Sequence, residues 1–253
     1  MKRLVSLFTA ILVSALLGCS SAVQIASSWN ENAIVVDGSS ADWGTSLKLM
    51  ADPSVAVGIR NDDRFLYICL TTQNPVFQTQ ILQGGLTVWF DPKGEQEEVF
   101  GIRFPMPGEN TPLWNPREPL AASFPFLEPS FRELSILGAE GQQELFSVLE
   151  IKGIKVKMGA SESGLVYELQ VPLRSSAEFR YAAGSLENQA LGIGFQTQEF
   201  GPDRLQGPSG RASAGTRGGG RGRSGRAGGA PLAGTERPES LELWTKVMLS
   251  SRQ

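Results

Sequence analysis

"SVAVGIRNDDRFLYICLTT", residues 54–72, decides the fold class. Two runs rich in β-branched and aromatic residues flank Asn61, Asp62 and Asp63, which tolerate the left-handed conformations a tight turn demands. The stretch is therefore predicted to be a β-hairpin.

Outward from it the same punctuation repeats. "AIVVD" precedes the hairpin, and "GLTVWF" follows it and ends in the turn signal "DPKG". Then come "VFGIRFP", "LSIL", "GIKVKM", "LVYELQVPL", "LGIGFQTQEF" and "LELWTKVMLS". About nine short strands with no long helical period predict an all-β chain, an antiparallel, jelly-roll-like β-sandwich. Helix is expected only around Phe77–Gln83 and Gln142–Leu149. With 253 residues, 41% hydrophobic and 8% aromatic, the chain is long and apolar enough to bury a core. Its net charge of −3 gives no global reason to expect nucleic acid as a partner.

Residues 1–18 have the layout of an export signal: Lys2 and Arg3, an apolar run from Leu4 to Leu17, then small residues. The run is short for a permanent membrane span. "LLGC", Leu16 to Cys19, resembles the bacterial lipoprotein box, in which the cysteine is alkylated by a diacylglyceryl group and acylated after cleavage before it. The resemblance implies lipidation of Cys19 and a membrane partner through its acyl chains. It also implies an outer-membrane address in a double-membrane host, because Ser20 rather than aspartate follows the cysteine. Residues 19–32 are then a lipid-anchored tether, and residues 33–250 the sandwich.

If Cys19 carries lipid, Cys69 is left without an intramolecular disulfide partner, and its place in "FLYICLTT" reads as a buried hydrophobe. The chain has no histidine. That removes imidazole-dependent triads, the common histidine zinc sites and histidine-ligated haem. Carboxylate chemistry survives, but Glu95, Glu97 and Glu98 crowd one turn, whereas a glycosidase pair needs a set separation across a cleft. No enzyme is expected. A carboxylate-based glycoside hydrolase is the minor alternative.

"AIVVDGSSADWG", "RFLYICLTT", "GLTVWFDPKG", "VYELQVPL" and "LGIGFQTQEF" resemble, in order and rough spacing, the motifs of family nine carbohydrate-binding modules and related DOMON-like sandwiches. The resemblance spans about residues 33 to 200 plus the final strand. A Pro-rich excursion at 105–130 and a Gly/Arg-rich insertion at 201–238 depart from it. It implies that Asp37 and Gly38 turn the chain, that Trp43 packs over one end of the core and that Asp42 bonds turn amides; ligand contact by Trp43 is the competing reading. No cofactor is expected, with a structural calcium ion near Asp37, Asp42, Asp62, Asp63 and Asp91 as the alternative, since all five are hard oxygen ligands on predicted turns.

Sugar binding needs flat aromatics beside polar groups, because a pyranose offers one apolar face and a belt of hydroxyls. Strand alternation puts Thr87, Trp89 and Asp91 on the face opposite Leu86, Val88 and Phe90. Trp114, in a Pro-rich loop with Asn110, Asn115, Arg117 and Glu118, is the second candidate. Trp89, Trp114, Asn115 and Arg117 are thus the predicted ligand residues, against the alternative that either tryptophan simply covers core. The segment from Gly207 to Gly234 carries five arginines and no acid, and its composition predicts disorder. It reads as a cationic loop over anionic lipid or polysaccharide, or as an inert linker. The expected function is noncatalytic binding of carbohydrate or another envelope polymer. The rival is a structural lipoprotein that docks a protein partner.

Overall fold

The structure, a computed structural model, describes residues 23–31, 34–108, 111–184, 190–198 and 239–252. The hairpin forms as predicted: β4 (Val55–Asn61) pairs antiparallel with β5 (Phe65–Thr72). Asp62 closes it by accepting the backbone N–H groups of Arg64 and Phe65, each at 2.7 Å.

Two sheets pack face to face. One has the order β1 (Val23–Ala26), β13 (Glu242–Met248), β12 (Leu191–Thr197), β6 (Leu86–Asp91), β7 (Phe100–Phe104), β8 (Glu133–Gly138) and β9 (Gln143–Ser147). The other has β10 (Lys155–Ser161), β11 (Gly164–Pro172), β5, β4 and β2 (Ser28–Trp29), with β3 (Leu47–Leu49) also on β4. Alternate residues point inward, so Val57, Ile59, Leu66, Ile68 and Leu70 of one sheet meet Val88, Phe90, Ile193 and Phe195 of the other in one core. The architecture is the expected all-β sandwich.

Helix α1 (Pro75–Gly84) carries the chain from β5 to β6, from one sheet to the other. Asn74 caps it by accepting the Val76 N–H at 2.9 Å, and Pro75 stands at its first turn, where no N–H is missed. Gly85, at φ 82°, ends it. Phe77, Ile81 and Leu82 enter the core, while Gln80 accepts the Thr197 hydroxyl at 2.6 Å.

Four expectations need correction. The predicted helix around Gln142–Leu149 is strand β9, an edge strand whose Phe146 packs against the core while Leu145 faces out. The Pro-rich excursion holds a helix, α2 (Leu120–Leu127), that buries Leu120, Phe124 and Leu127. The proposed tether is partly sheet, since β1 pairs with β13 and β2 with β4. "AIVVD" is no strand: residues 34–38 cross the outer side of the six-stranded sheet. There Ile34, Trp43, Tyr67, Cys69 and Val166 form a second apolar cluster. Residues 1–22 and 199–238, with the leader, Cys19 and the Gly/Arg-rich insertion, lie outside the described residues. No helix among the described residues is long and apolar enough to cross a membrane.

Candidate functional site

The outer face of the seven-stranded sheet is set by register. Gly194 on β12 stands opposite Trp89 on β6 and, on its other side, opposite Trp244 on β13. Gly101 on β7 stands opposite Trp89. One row across four strands therefore reads Gly101, Trp89, Gly194, Trp244. The next row, two residues along each strand, reads Arg103, Thr87, Gln196, Glu242. On the other side of the aromatic row lie Asp91, Gly192 and Lys246.

The glycines matter sterically. A Cβ on Gly101 would sit 2.6 Å from Cε3 and Cζ3 of Trp89, and one on Gly194 would sit 2.8 Å from Cε2 and Cζ2 of Trp244. Each indole therefore rests directly on the backbone of the neighbouring strand. Trp89 is 7% exposed and donates its Nε1–H to Gln196 Oε1 at 3.0 Å, whereas Trp244 is half-buried. Arg103, also half-buried, bonds the Gly84 carbonyl through Nε, at 2.8 Å, and through Nη2. Burial lowers its pKa from the usual range. The grid combines two indoles, each seated on a glycine backbone, with amide, hydroxyl, guanidinium and carboxylate groups one row away.

Of the residues predicted from sequence, Trp89 lies in this grid. Trp114 is 5% exposed and belongs to the interior cluster, with a buried Nε1 that has no partner among the described residues. Asn115 and Arg117 are exposed and close a local turn, the Asn115 Oδ1 accepting the Arg117 N–H at 3.1 Å. Trp89 and Trp114 are thus not neighbours in one site. Trp244, Gln196 and Arg103 were not predicted. Their only sequence signal is alternation: Leu243, Thr245 and Val247 face the core and leave Trp244 outward, and glycines alternate in "LGIGFQ".

The carboxylates considered for calcium serve separate turns. Asp37 accepts the Ser39 N–H at 2.8 Å, and Asp42 the Val35 N–H at 3.4 Å. Asp62 holds the β4–β5 turn and accepts the Tyr67 hydroxyl at 2.8 Å. Asp91, fully buried, accepts the amides of Lys93 at 2.9 Å, Glu95, and Glu97 at 3.3 Å. Asp63 is exposed. Among the described residues no three His, Cys, Asp or Glu side chains converge on one metal position.

Trp43 is 2% exposed, its ring 2.8 Å from where a Gly58 Cβ would stand, and its Nε1–H is donated to Glu168 Oε1 at 2.7 Å. Glu168 Oε2 accepts the Asp37 and Gly38 N–H groups at 2.9 and 2.7 Å. Burial raises the Glu168 pKa against the opposing pull of these three donors. Cys69, opposite Glu168 in the ladder, is fully buried, and burial together with that carboxylate pushes its thiol far up. Trp43 closes a core there.

No protein-family model matches the chain, and no curated protein matches it. Among solved structures, one similar chain is a family 9 carbohydrate-binding module from Caldicellulosiruptor kristjanssonii in complex with glucose. It has a TM-score of 0.41 and 10% identity, covering 91% of this chain and 98% of that one. Another is a family 9 module from the same organism in complex with cellotriose, at a TM-score of 0.36 and 13% identity over 71% and 78% of the two chains. What the sheet face of the present chain can bind follows from its own side chains.

Proposed function

We propose that this chain is a lipid-anchored cell-envelope protein whose sandwich binds carbohydrate or a related envelope polymer, without catalysis, on the outer face of the seven-stranded sheet. The observation that carries this reading is the row Gly101, Trp89, Gly194, Trp244 with Arg103, Thr87, Gln196 and Glu242 beside it. Two strand spacings of roughly 4.8 Å separate the backbones of the two tryptophans, a span on the scale of a disaccharide. The half-buried Trp244 indole offers its face to a sugar ring, with the buried Trp89 seated beside it as part of the platform's floor, while the polar row answers the hydroxyls. Lipidation at Cys19 holds the domain on the membrane, because several acyl chains give an anchor that one chain does not.

A glycan array followed by calorimetric titration tests the binding. Trp244→Ala should weaken a bound glycan by about 1–3 kcal/mol with little change in the melting temperature, since Trp244 is half-buried and lies outside the main core. Trp89→Ala should cost more stability, since Trp89 is buried, and weaken binding through the freed Gln196 side chain. Unchanged affinity in both variants removes the face as the site, and no glycan binding at all favours a protein-docking lipoprotein. For the anchor, Cys19→Ser should release the protein from membranes and abolish labelling by a palmitate analogue. Label retained on the variant would refute lipidation there.

A further inference from the structure

The seven-stranded sheet ends in an open edge. Among the described residues β9 pairs with β8 alone, and the register fixes which of its backbone groups are used. Val148 N–H donates to the Arg132 carbonyl at 3.0 Å, and Gly138 N–H to the Gln142 carbonyl at 2.9 Å. In an antiparallel ladder such bonded positions alternate, so the even-numbered residues of β9 turn their backbone groups to β8. Those of Gln143, Leu145 and Ser147 point away from the sheet, and Leu145 is 59% exposed.

The other sheet edges are blunted, and this one is not. β10 has α2 packed against it and carries Lys155 and Lys157, the latter paired with Glu128, while β1 has four residues and β2 two. β9, "QELFS", holds no lysine, proline or bulge. Its one charge is engaged: Glu144 accepts Arg180 Nη2–H at 3.0 Å, Nη1–H at 3.2 Å and the Tyr181 hydroxyl at 2.9 Å. The free side is also complementary to itself. When a second β9 lies antiparallel beside it with Leu145 opposite Leu145, Gln143 of each copy falls opposite Ser147 of the other. All three are positions whose backbone groups β8 leaves unused. This register overlaps the whole strand, whereas a two-fold axis at Glu144 sets two carboxylates face to face. It also brings Leu149, 92% exposed, against the β8–β9 turn of the second copy, where the space beside Gly141 is open.

We propose that this chain forms a two-fold dimer through β9, which joins two seven-stranded sheets edge to edge. The pairing covers Leu145 with its counterpart and satisfies the outward backbone groups on both sides. The occupant is a second copy rather than an unrelated strand because the edge answers itself in register, apolar contact and charge. On the outer face the row Glu242, Gln196, Thr87, Arg103, Ser135, Leu145 then continues into the second copy. Two binding faces on one sheet engage a polymer together, which raises avidity without any new contact to it. The pairing uses neither Trp89 nor Trp244, so the dimer and the binding face stand or fall separately.

The test is sedimentation velocity of the full chain in a non-ionic detergent, so that the apolar run from Leu4 to Leu17 does not itself associate. The mass should rise from monomer to dimer below about 200 μM, as suits a small interface. Leu145→Lys sets like charges at the two-fold axis and should weaken the dimer at least about tenfold while leaving the melting temperature of the monomer unchanged. Leu145→Pro, which removes an N–H that β8 does not use, should weaken it too. Mild oxidation of Leu145→Cys should give a covalent dimer. Leu49→Cys and Leu113→Cys, where the native leucines are 71% and 62% exposed, should stay monomeric. Cys69 is buried, and the wild-type chain is the control for Cys19. A monomer at every concentration overturns the proposal. So does a dimer that both Leu145→Lys and Leu145→Pro leave intact, or equal cross-linking at the three positions.

Discussion

Glu168 ties the outer layer to β11: one carboxylate takes the Trp43 indole and the amides of Asp37 and Gly38. A reader of the sequence can see that Asp37, Gly38 and Trp43 belong together, but not that their partner lies more than a hundred residues away on β11. Trp43→Ala should lower stability by about 3–5 kcal/mol in urea unfolding, through the cavity left over Gly58. A variant that keeps its stability would show the indole to be surplus to packing. Glu168→Gln should cost about 1–3 kcal/mol, because the amide sets an N–H against one of three N–H donors. The pH dependence has a definite sign. Burial raises the folded pKa above the ordinary 4.5, so the native state holds the proton more tightly than the unfolded chain. The stability Glu168 contributes is fully present below that ordinary value and is lost as pH rises through the raised one. Wild type should therefore lose stability as pH rises from that ordinary value toward neutrality, a loss that Glu168→Gln, which does not titrate there, should not show; a gain by the wild type over that range would reverse the assignment.

Elements bounded by strong local chemistry were legible, and those decided by distant partners were not. The β4–β5 hairpin carries its own turn, and α1 carries Asn74, Pro75 and Gly85 as start and stop. The segment 142–149 has no such punctuation, and its pairing with β8 made it a strand. α2 was hidden because prolines argue against helix, yet Pro119 precedes its first turn and Pro125 is accommodated within only eight residues. "AIVVD" looks like a strand from its β-branched residues. Its backbone instead satisfies itself on Glu168 and the turn around Asp42. Because α1 joins the two sheets, its cap is a local handle on the whole fold. Asn74→Ala should destabilise by about 1 kcal/mol, while Asn74→Asp or Asn74→Ser should retain most of that, as thermal unfolding of the three variants would reveal. Equal losses in all three would mean the side chain acts other than as a cap.

At the scale of the molecule, alternation within β6 was enough to place Trp89 on the outer face, but the face itself is a product of register. Trp89, Gly194 and Trp244 become neighbours only once β6, β12 and β13 pair, and nothing local specifies that order. The same pairing fixes where residues 199–238 leave and return. Gln196 stands opposite Glu242, and the Thr197 N–H donates to the Leu241 carbonyl at 3.0 Å. The insertion thus connects two adjacent antiparallel strands whose ends are already held, by the Thr197 hydroxyl accepting the Leu241 N–H at 2.9 Å and by Gln80 Nε2 donating to the Glu239 carbonyl at 3.1 Å. A short hairpin loop satisfies that geometry. Replacing residues 199–238 with a five-residue Gly-Ser linker, about three halvings of the loop, should leave the sandwich folded and raise its stability by up to about 2 kcal/mol through reduced closure entropy. Equilibrium unfolding gives that number, and glycan titration of the same variant tests what else the arginines do. Retained folding with weakened binding to an anionic polysaccharide, restored at low salt, assigns the insertion to long-range attraction. A loss of several kcal/mol instead means that the segment packs on the sandwich, contrary to what its composition, rich in glycine and arginine, leads one to expect.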